Sequence, residues 1–242
     1  GFWTSHGFEI AAKHRTPALP LLFDDDDGSP HVAEPPPRDA EQCSEQHGGG
    51  HPNGPSAQPM PWTEEDCRGA AAAVFWRLGE GIELVPDIEP EFQKALDLMG
   101  KFNQDAGVRD IEATIKWARQ DSGKKVGAVG YCLGGRLAYM TAARTDSDAS
   151  VGYYAVGIDE LLREKDAIAN PLMLHIPTED GFVDKDTQKA MHEGLDDHPK
   201  VTLHDYEGMD HGFATQFGKR RNDDCAELAD KRTMEFFAEH LG

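Results

Sequence analysis

Three residues of this chain combine reactive chemistry with telling neighbours: Cys132, Asp180 and His211. Cys132 stands in Gly130-Tyr131-Cys132-Leu133-Gly134, a G-x-nucleophile-x-G pattern with sulfur in the nucleophile position. The apolar run Lys125-Val126-Gly127-Ala128-Val129-Gly130 before it predicts a strand, and a helix is predicted from there to about Ala143. Cys132 therefore falls on a strand-to-helix turn. Glycines on either side permit a sharp bend that aims the sulfur outward. The free N–H groups and dipole of a helix N-terminus stabilise negative charge there. The N–H of Leu133 is placed to donate to an oxyanion. Asp180 follows the run Pro171 to Ile176, and His211 follows the run Val201 to Tyr206. An imidazole can take the proton of a thiol or hold the resulting ion pair, and a carboxylate fixes its tautomer. Together the three types suit acyl transfer to sulfur.

Taken singly, each residue has an ordinary explanation. A cysteine among apolar residues is commonly a small core side chain. An aspartate after a strand commonly forms a turn or cap, and a histidine commonly packs. The ordered triple, each member at a predicted strand end, favours the chemical reading. Glu179 competes with Asp180 as the acid, and Asp184 and Asp210 are weaker competitors. His175 lies inside a predicted strand and is expected to pack. His204 alternates within another and is expected to face solvent or a neighbouring side chain.

Such a triple needs a scaffold that brings distant segments together. Pro90 opens a predicted helix with Phe92, Ala95, Leu96, Met99 and Phe102 at helical spacing. Asp105 is expected to cap a second helix with Val108, Ile111 and Ile115 on one face. Ala149 to Ala155, Pro171 to Ile176 and Val201 to Tyr206 read as strands, Lys185 to Leu195 as a helix. Asn222 caps a last helix ending near Leu241. This alternation predicts an α/β fold, a mostly parallel sheet covered on both faces. Active sites in such sheets gather at the carboxyl ends of the strands, where the three residues lie.

Residues 1–73 differ from the rest. Ten of the fifteen prolines lie in the first 61 residues, with Asp24 to Asp27, Pro35 to Pro37 and Gly48 to Gly50 among them. Proline removes a backbone donor, and this composition buries little apolar surface. We read 1–73 as a low-complexity, irregular, disordered or degenerate segment, and 74–242 as the folded domain. Within the former, only Pro17 to Phe23 could form a short strand. Cys43, His47, His51 and Cys67 are loosely metal-like, but a polar tract explains them better.

The bulk composition excludes several classes. Forty-four acidic against 24 basic residues give a formal charge of −20. That excess repels phosphate backbones and anionic membranes, so no nucleic-acid or membrane partner is expected. No run reaches the roughly 18 apolar residues of a membrane span. No secretory leader is recognisable, and four scattered cysteines make a poor disulfide framework. The expectation is a reduced, cytoplasmic protein without metal or cofactor, monomeric or weakly dimeric, acting on a small molecule.

The motifs of residues 74–242 are similar to those of the dienelactone hydrolase family. Gly130-Tyr131-Cys132-Leu133-Gly134-Gly135 resembles its nucleophile motif, and Val151 to Gly157 (Val-Gly-Tyr-Tyr-Ala-Val-Gly) its following strand and turn. Thr178-Glu179-Asp180 resembles its acid loop, and Tyr206 to Ala214 (Tyr-Glu-Gly-Met-Asp-His-Gly-Phe-Ala) its histidine loop. Asp105 to Ile111 and Phe75-Trp76-Arg77 also fit. The resemblance implies an α/β-hydrolase fold and metal-free hydrolysis of a lactone or ester through an acyl-thiol intermediate. It makes Arg77 a substrate-carboxylate ligand. Two departures stand out. The family's Gln-Glu-Ile-Phe-Gly-like motif, which completes its oxyanion hole, has no counterpart in residues 1–73. Thr215 stands where a second arginine would follow the histidine loop, which implies ready acceptance of neutral esters. A pocket with an incomplete oxyanion hole would suit the alternative of a weak or catalytically silent binding protein.

Overall fold

The computed structural model describes residues 3–4, 21–23, 69–70, 75–79, 82–85, 87–216 and 218–242. The expectations for Cys43, His47, His51 and Cys67, and for most of 1–73, lie outside the described residues. Eight strands are described: β1 (Trp3–Thr4), β2 (Leu21–Phe23), β3 (Gly69–Ala70), β4 (Glu83–Leu84), β5 (Val126–Tyr131), β6 (Ala149–Tyr153), β7 (Leu172–Pro177) and β8 (Val201–Tyr206). The helices are α1 (Glu89–Lys101), α2 (Gln104–Ser122), α3 (Leu133–Arg144), α4 (Lys185–Leu195) and α5 (Asp223–Leu241), with a 3-10 segment over Asp159–Ala167. Short β1 and β4 pair with each other. The main sheet runs β3-β2-β5-β6-β7-β8. Its last four strands are parallel, and β2 joins β5 antiparallel through Leu22 and Phe23. The Pro17 to Phe23 expectation thus meets a strand at its end, pairing part of the β5 edge.

Two apolar clusters lie on opposite faces of the sheet, and strand alternation decides membership. Val126, Ala128, Leu172, Leu174 and Ile176 join Ile111 and Ile115 of α2, Leu137 of α3 and Met191 of α4. Val129, Val151, Tyr153 and Met173 join Ala229 and Phe237 of α5. Burial on both faces explains why these strands read as continuous apolar runs. Asn222 caps α5, its Oδ1 accepting from Cys225 N at 3.0 Å. Asn103, not Asp105, caps α2: its extended backbone turns Oδ1 toward Ala106 N at 2.9 Å. Asp105 lies within the first turn and pairs with Arg144 instead. The 3-10 segment has no counterpart in the sequence reading, since Leu161 is its only buried residue and leaves no period to detect.

Candidate active site

Cys132 occupies the turn between β5 and α3 with φ 58° and ψ −114°. A left-handed backbone at a side-chain-bearing residue costs about 1–3 kcal/mol and is tolerated where the surroundings enforce it. Here they do. Cys132 N donates to Tyr153 O at 3.0 Å, and Arg136 N donates back to Cys132 O at 3.1 Å. A Cβ at Gly130 would lie 2.0 Å from Gly134 O, and one at Gly135 would lie 2.8 Å from Tyr153 O. The two glycines let α3 start directly against β5 and β6. That close start presents the sulfur and sets the Leu133 N–H in the first turn of α3.

β7 and β8 deliver the other two residues. Thr178 N donates to Tyr206 O at 3.0 Å, and Glu179 N to Met209 O at 2.8 Å, so the two loops run side by side. Asp210 Oδ1 ties them, accepting from Gly181 N at 2.9 Å and His211 N at 2.7 Å. Asp180 Oδ2 then meets His211 Nδ1 at 2.9 Å, with both side chains almost wholly buried. Asp180 Oδ1 also accepts from Phe182 N at 2.7 Å, which fixes the carboxylate plane. With Nδ1 on Asp180, Nε2 is the ring nitrogen left for proton transfer, and Cys132 acts on the imidazole through its charge. Burial opposes a charged imidazole, but the facing Cys132 sulfur and the Asp180 carboxylate outweigh it and raise His211 to about 9. The rings of Phe182 and Tyr154 cover His211, with centroids 4.6 and 4.9 Å away.

The structure thus brings Cys132, His211 and Asp180 together and separates the competitors. Glu179 points outward to Lys185 at 2.8 Å. Asp184 caps α4 through Thr187 N. Asp210 accepts from backbone N–H groups of Gly181 and His211. Asp180→Asn is therefore expected to cost far more activity than Glu179→Gln, since the amide disturbs the His211 tautomer. Steady-state kinetics on both variants checks the assignment, and the reverse order would overturn it. His175 is fully buried, and His204 stacks on it at 5.9 Å. Arg77 is exposed: its guanidinium binds Asp110 of α2 at 2.7 and 2.9 Å and lies over the Trp76 ring. A cation that the sequence reading missed is Arg220. It lies over the Phe182 ring at 5.7 Å, without an ion-pair partner among the described residues. The run Lys219-Arg220-Arg221, soon after the histidine loop, was its signal. No group of His, Cys, Asp and Glu among the described residues could hold a metal. No described helix is long and apolar enough to cross a membrane.

The model of the dienelactone hydrolase family matches residues 71–241. The chain belongs to that family. A carboxymethylenebutenolidase of Pseudomonas putida is 36% identical over 167 residues, covering 68% of this chain and 71% of its own. Carboxymethylenebutenolidase 1 of Cupriavidus pinatubonensis is 35% identical over the same shares. A solved structure from Klebsiella pneumoniae, assigned to the dienelactone hydrolases, shares the fold with a TM-score of 0.58 at 20% identity. It covers 69% of this chain and 73% of its own. This dienelactone hydrolase family member therefore has the α/β-hydrolase fold expected from its motifs, and it stands among the carboxylic ester and lactone hydrolases.

Proposed function

We propose that the chain hydrolyses a lactone or small carboxylic ester through Cys132, His211 and Asp180, by way of an acyl-thiol intermediate. The observation that carries this reading is the buried His211, bonded through Nδ1 to Asp180 and raised by the charge of the nearby Cys132. The Cys132 thiolate attacks the carbonyl carbon, and the carbonyl oxygen takes the developing charge. The Leu133 N–H, at the N-terminus of α3, donates to that oxygen. As the tetrahedral species collapses, the imidazolium of His211 protonates the leaving alkoxide, leaving the acyl group on sulfur. His211, now neutral, takes a proton from water. The hydroxide attacks the thioester and the carboxylic acid departs, restoring the thiolate–imidazolium pair. Asp180 holds the tautomer throughout. Arg77, held by Asp110, is the proposed substrate-carboxylate contact.

Acid-quenched protein from a p-nitrophenyl acetate reaction is expected to carry one acetyl group, mapped by mass spectrometry to Cys132. Turnover without acylation of Cys132 would overturn the mechanism. The pH profile follows from His211. Its proton is needed for leaving-group departure, so kcat/KM is expected to fall as pH rises through about 9. The same pair contributes to folding. Because the folded value is raised, its stabilisation is complete below the unfolded value of about 6.5 and is lost as pH rises through the folded one. A profile flat to pH well above 9 would remove His211 from the acid role.

A further inference from the structure

Beneath the site, three strand ends and α5 share a chain of polar side chains that the reaction itself does not use. Tyr153 of β6, His175 of β7, Tyr206 of β8 and Thr233 of α5 are fully buried. The Tyr153 hydroxyl lies 3.0 Å from Asp230 Oδ1 and 2.6 Å from Thr233 Oγ1. His175 Nε2 lies 2.9 Å from Thr233 Oγ1, and its Nδ1 lies 2.7 Å from the Tyr206 hydroxyl. Asp230 stands at the exposed end of this chain.

Counting donors gives the chain one direction. A carboxylate only accepts, so the Tyr153 hydroxyl must donate to Asp230. Its single proton is then used, so the Thr233 hydroxyl must donate to Tyr153. That uses the threonine proton, so His175 Nε2–H must donate to Thr233. Nδ1 is left as the acceptor, and the Tyr206 hydroxyl donates to it. A neutral imidazole is required, and burial, reinforced by the nearby His204 and Arg232, holds His175 well below its usual range. All four bonds point toward Asp230, and each polarises the next.

The three strand residues of the chain also hold parts of the site through their backbones. Tyr153 O accepts from Cys132 N at 3.0 Å. His175 O accepts from Tyr154 N at 2.8 Å, and the Tyr154 ring packs on His211. Tyr206 O accepts from Thr178 N, two residues before Asp180, and its ring packs on Phe213, two residues after His211. We propose that Asp230, Thr233 and His175 are positioning residues: a one-way hydrogen-bond chain, with His175 fixed as its Nε2–H tautomer, that holds the loops of Cys132, Asp180 and His211 in register. The link to catalysis rests on the hydrolase reading above, whereas the direction of the chain rests on the bonding alone.

Nitrogen NMR on histidine-labelled protein reads the tautomer directly. A protonated Nε2 and bare Nδ1 on His175 are expected, and a protonated Nδ1 or an averaged pair would overturn the direction. Thr233→Val cuts the chain at its centre. In the folded variant the His211 titration midpoint is expected to fall from about 9 toward the ordinary value, because the Cys132 contact loosens. The kcat for p-nitrophenyl acetate is expected to fall about tenfold at unchanged KM, since small misplacements of reacting groups are costly. Thr233→Ser, which keeps the hydroxyl, is expected to restore both. An unchanged midpoint and kcat in Thr233→Val would reduce the chain to packing. If Thr233→Val does not fold, Asp230→Asn tests the same point at the exposed end, where an amide that can donate should release His175 from a single tautomer. A single Nε2–H tautomer retained in Asp230→Asn would overturn the role of Asp230. Should the wild type cleave no ester, the hydrolase reading fails by itself, while the two titration and tautomer readouts still decide this one.

Discussion

Cys132→Ala is expected to lower ester hydrolysis by at least about 10³-fold while the protein stays folded. Loss of a nucleophile that acts with a histidine and an acid leaves only the rate that binding and oxyanion donation supply, and such units lose nearly everything with one member. The thiol contributes little to the fold, because the turn is held by backbone bonds to Tyr153 O and from Arg136 N. Circular dichroism should therefore match the wild type while p-nitrophenyl acetate turnover disappears. Cys132→Ser keeps the shape but replaces the thiol with a much weaker acid. It is expected to retain little activity and to let the His211 midpoint drop from about 9, since the Cys132 charge is among its causes. Cys225→Ala, on the buried face of α5, provides the contrast: it should lose stability rather than activity per folded molecule. Substantial turnover in Cys132→Ala would end the thiol mechanism.

Gly130→Ala is the substitution expected to damage the fold most. Its Cβ would sit 2.0 Å from Gly134 O, 2.3 Å from Gly134 C and 2.9 Å from Gly134 Cα, all backbone atoms at the start of α3. No rotamer change relieves such an overlap. α3 would have to move off β5, opening the apolar contacts of Leu133 and Leu137. Overpacking in a core commonly costs about 1–3 kcal/mol, and backbone against backbone lies at or beyond the top of that range. Urea unfolding measures it. Gly100→Ala in α1 is the matched control, because nothing lies within 4 Å of its Cβ. There alanine should stabilise by up to about 1 kcal/mol through helix propensity. Equal stabilities for the two variants would contradict the tight turn.

Much of this was legible in the sequence because the informative signals are local. Lys185–Leu195 and Val201–Tyr206 fall on the residues their patterns indicate, and Asn222 caps α5 as its position implies. The glycines around Cys132 announce a turn whose need for them is steric. The choice of acid was harder, since Glu179 and Asp180 are neighbours in the turn after β7 and the path of that turn decides which one faces inward. Asp105 misled because cap preference is shared among Asn, Asp and Ser, and only backbone conformation at Asn103 settles which residue acts. The one-way chain through Thr233 and His175 could not be read at all. It joins residues 58 and 80 positions apart, and neither hydroxyl nor ring carries a motif. Arg220 escaped for a similar reason: its approach to Phe182 depends on the path of the loop after His211.

The bridging carboxylate of Asp210 has a kinetic consequence. Because one oxygen accepts from both Gly181 N and His211 N, neither the acid loop nor the histidine loop can open without breaking a bond of the other. The two are expected to act as a single opening unit in hydrogen exchange, their amides sharing one opening free energy. On the proposed mechanism, His211 and Asp180 would then be lost from register and regained in the same event.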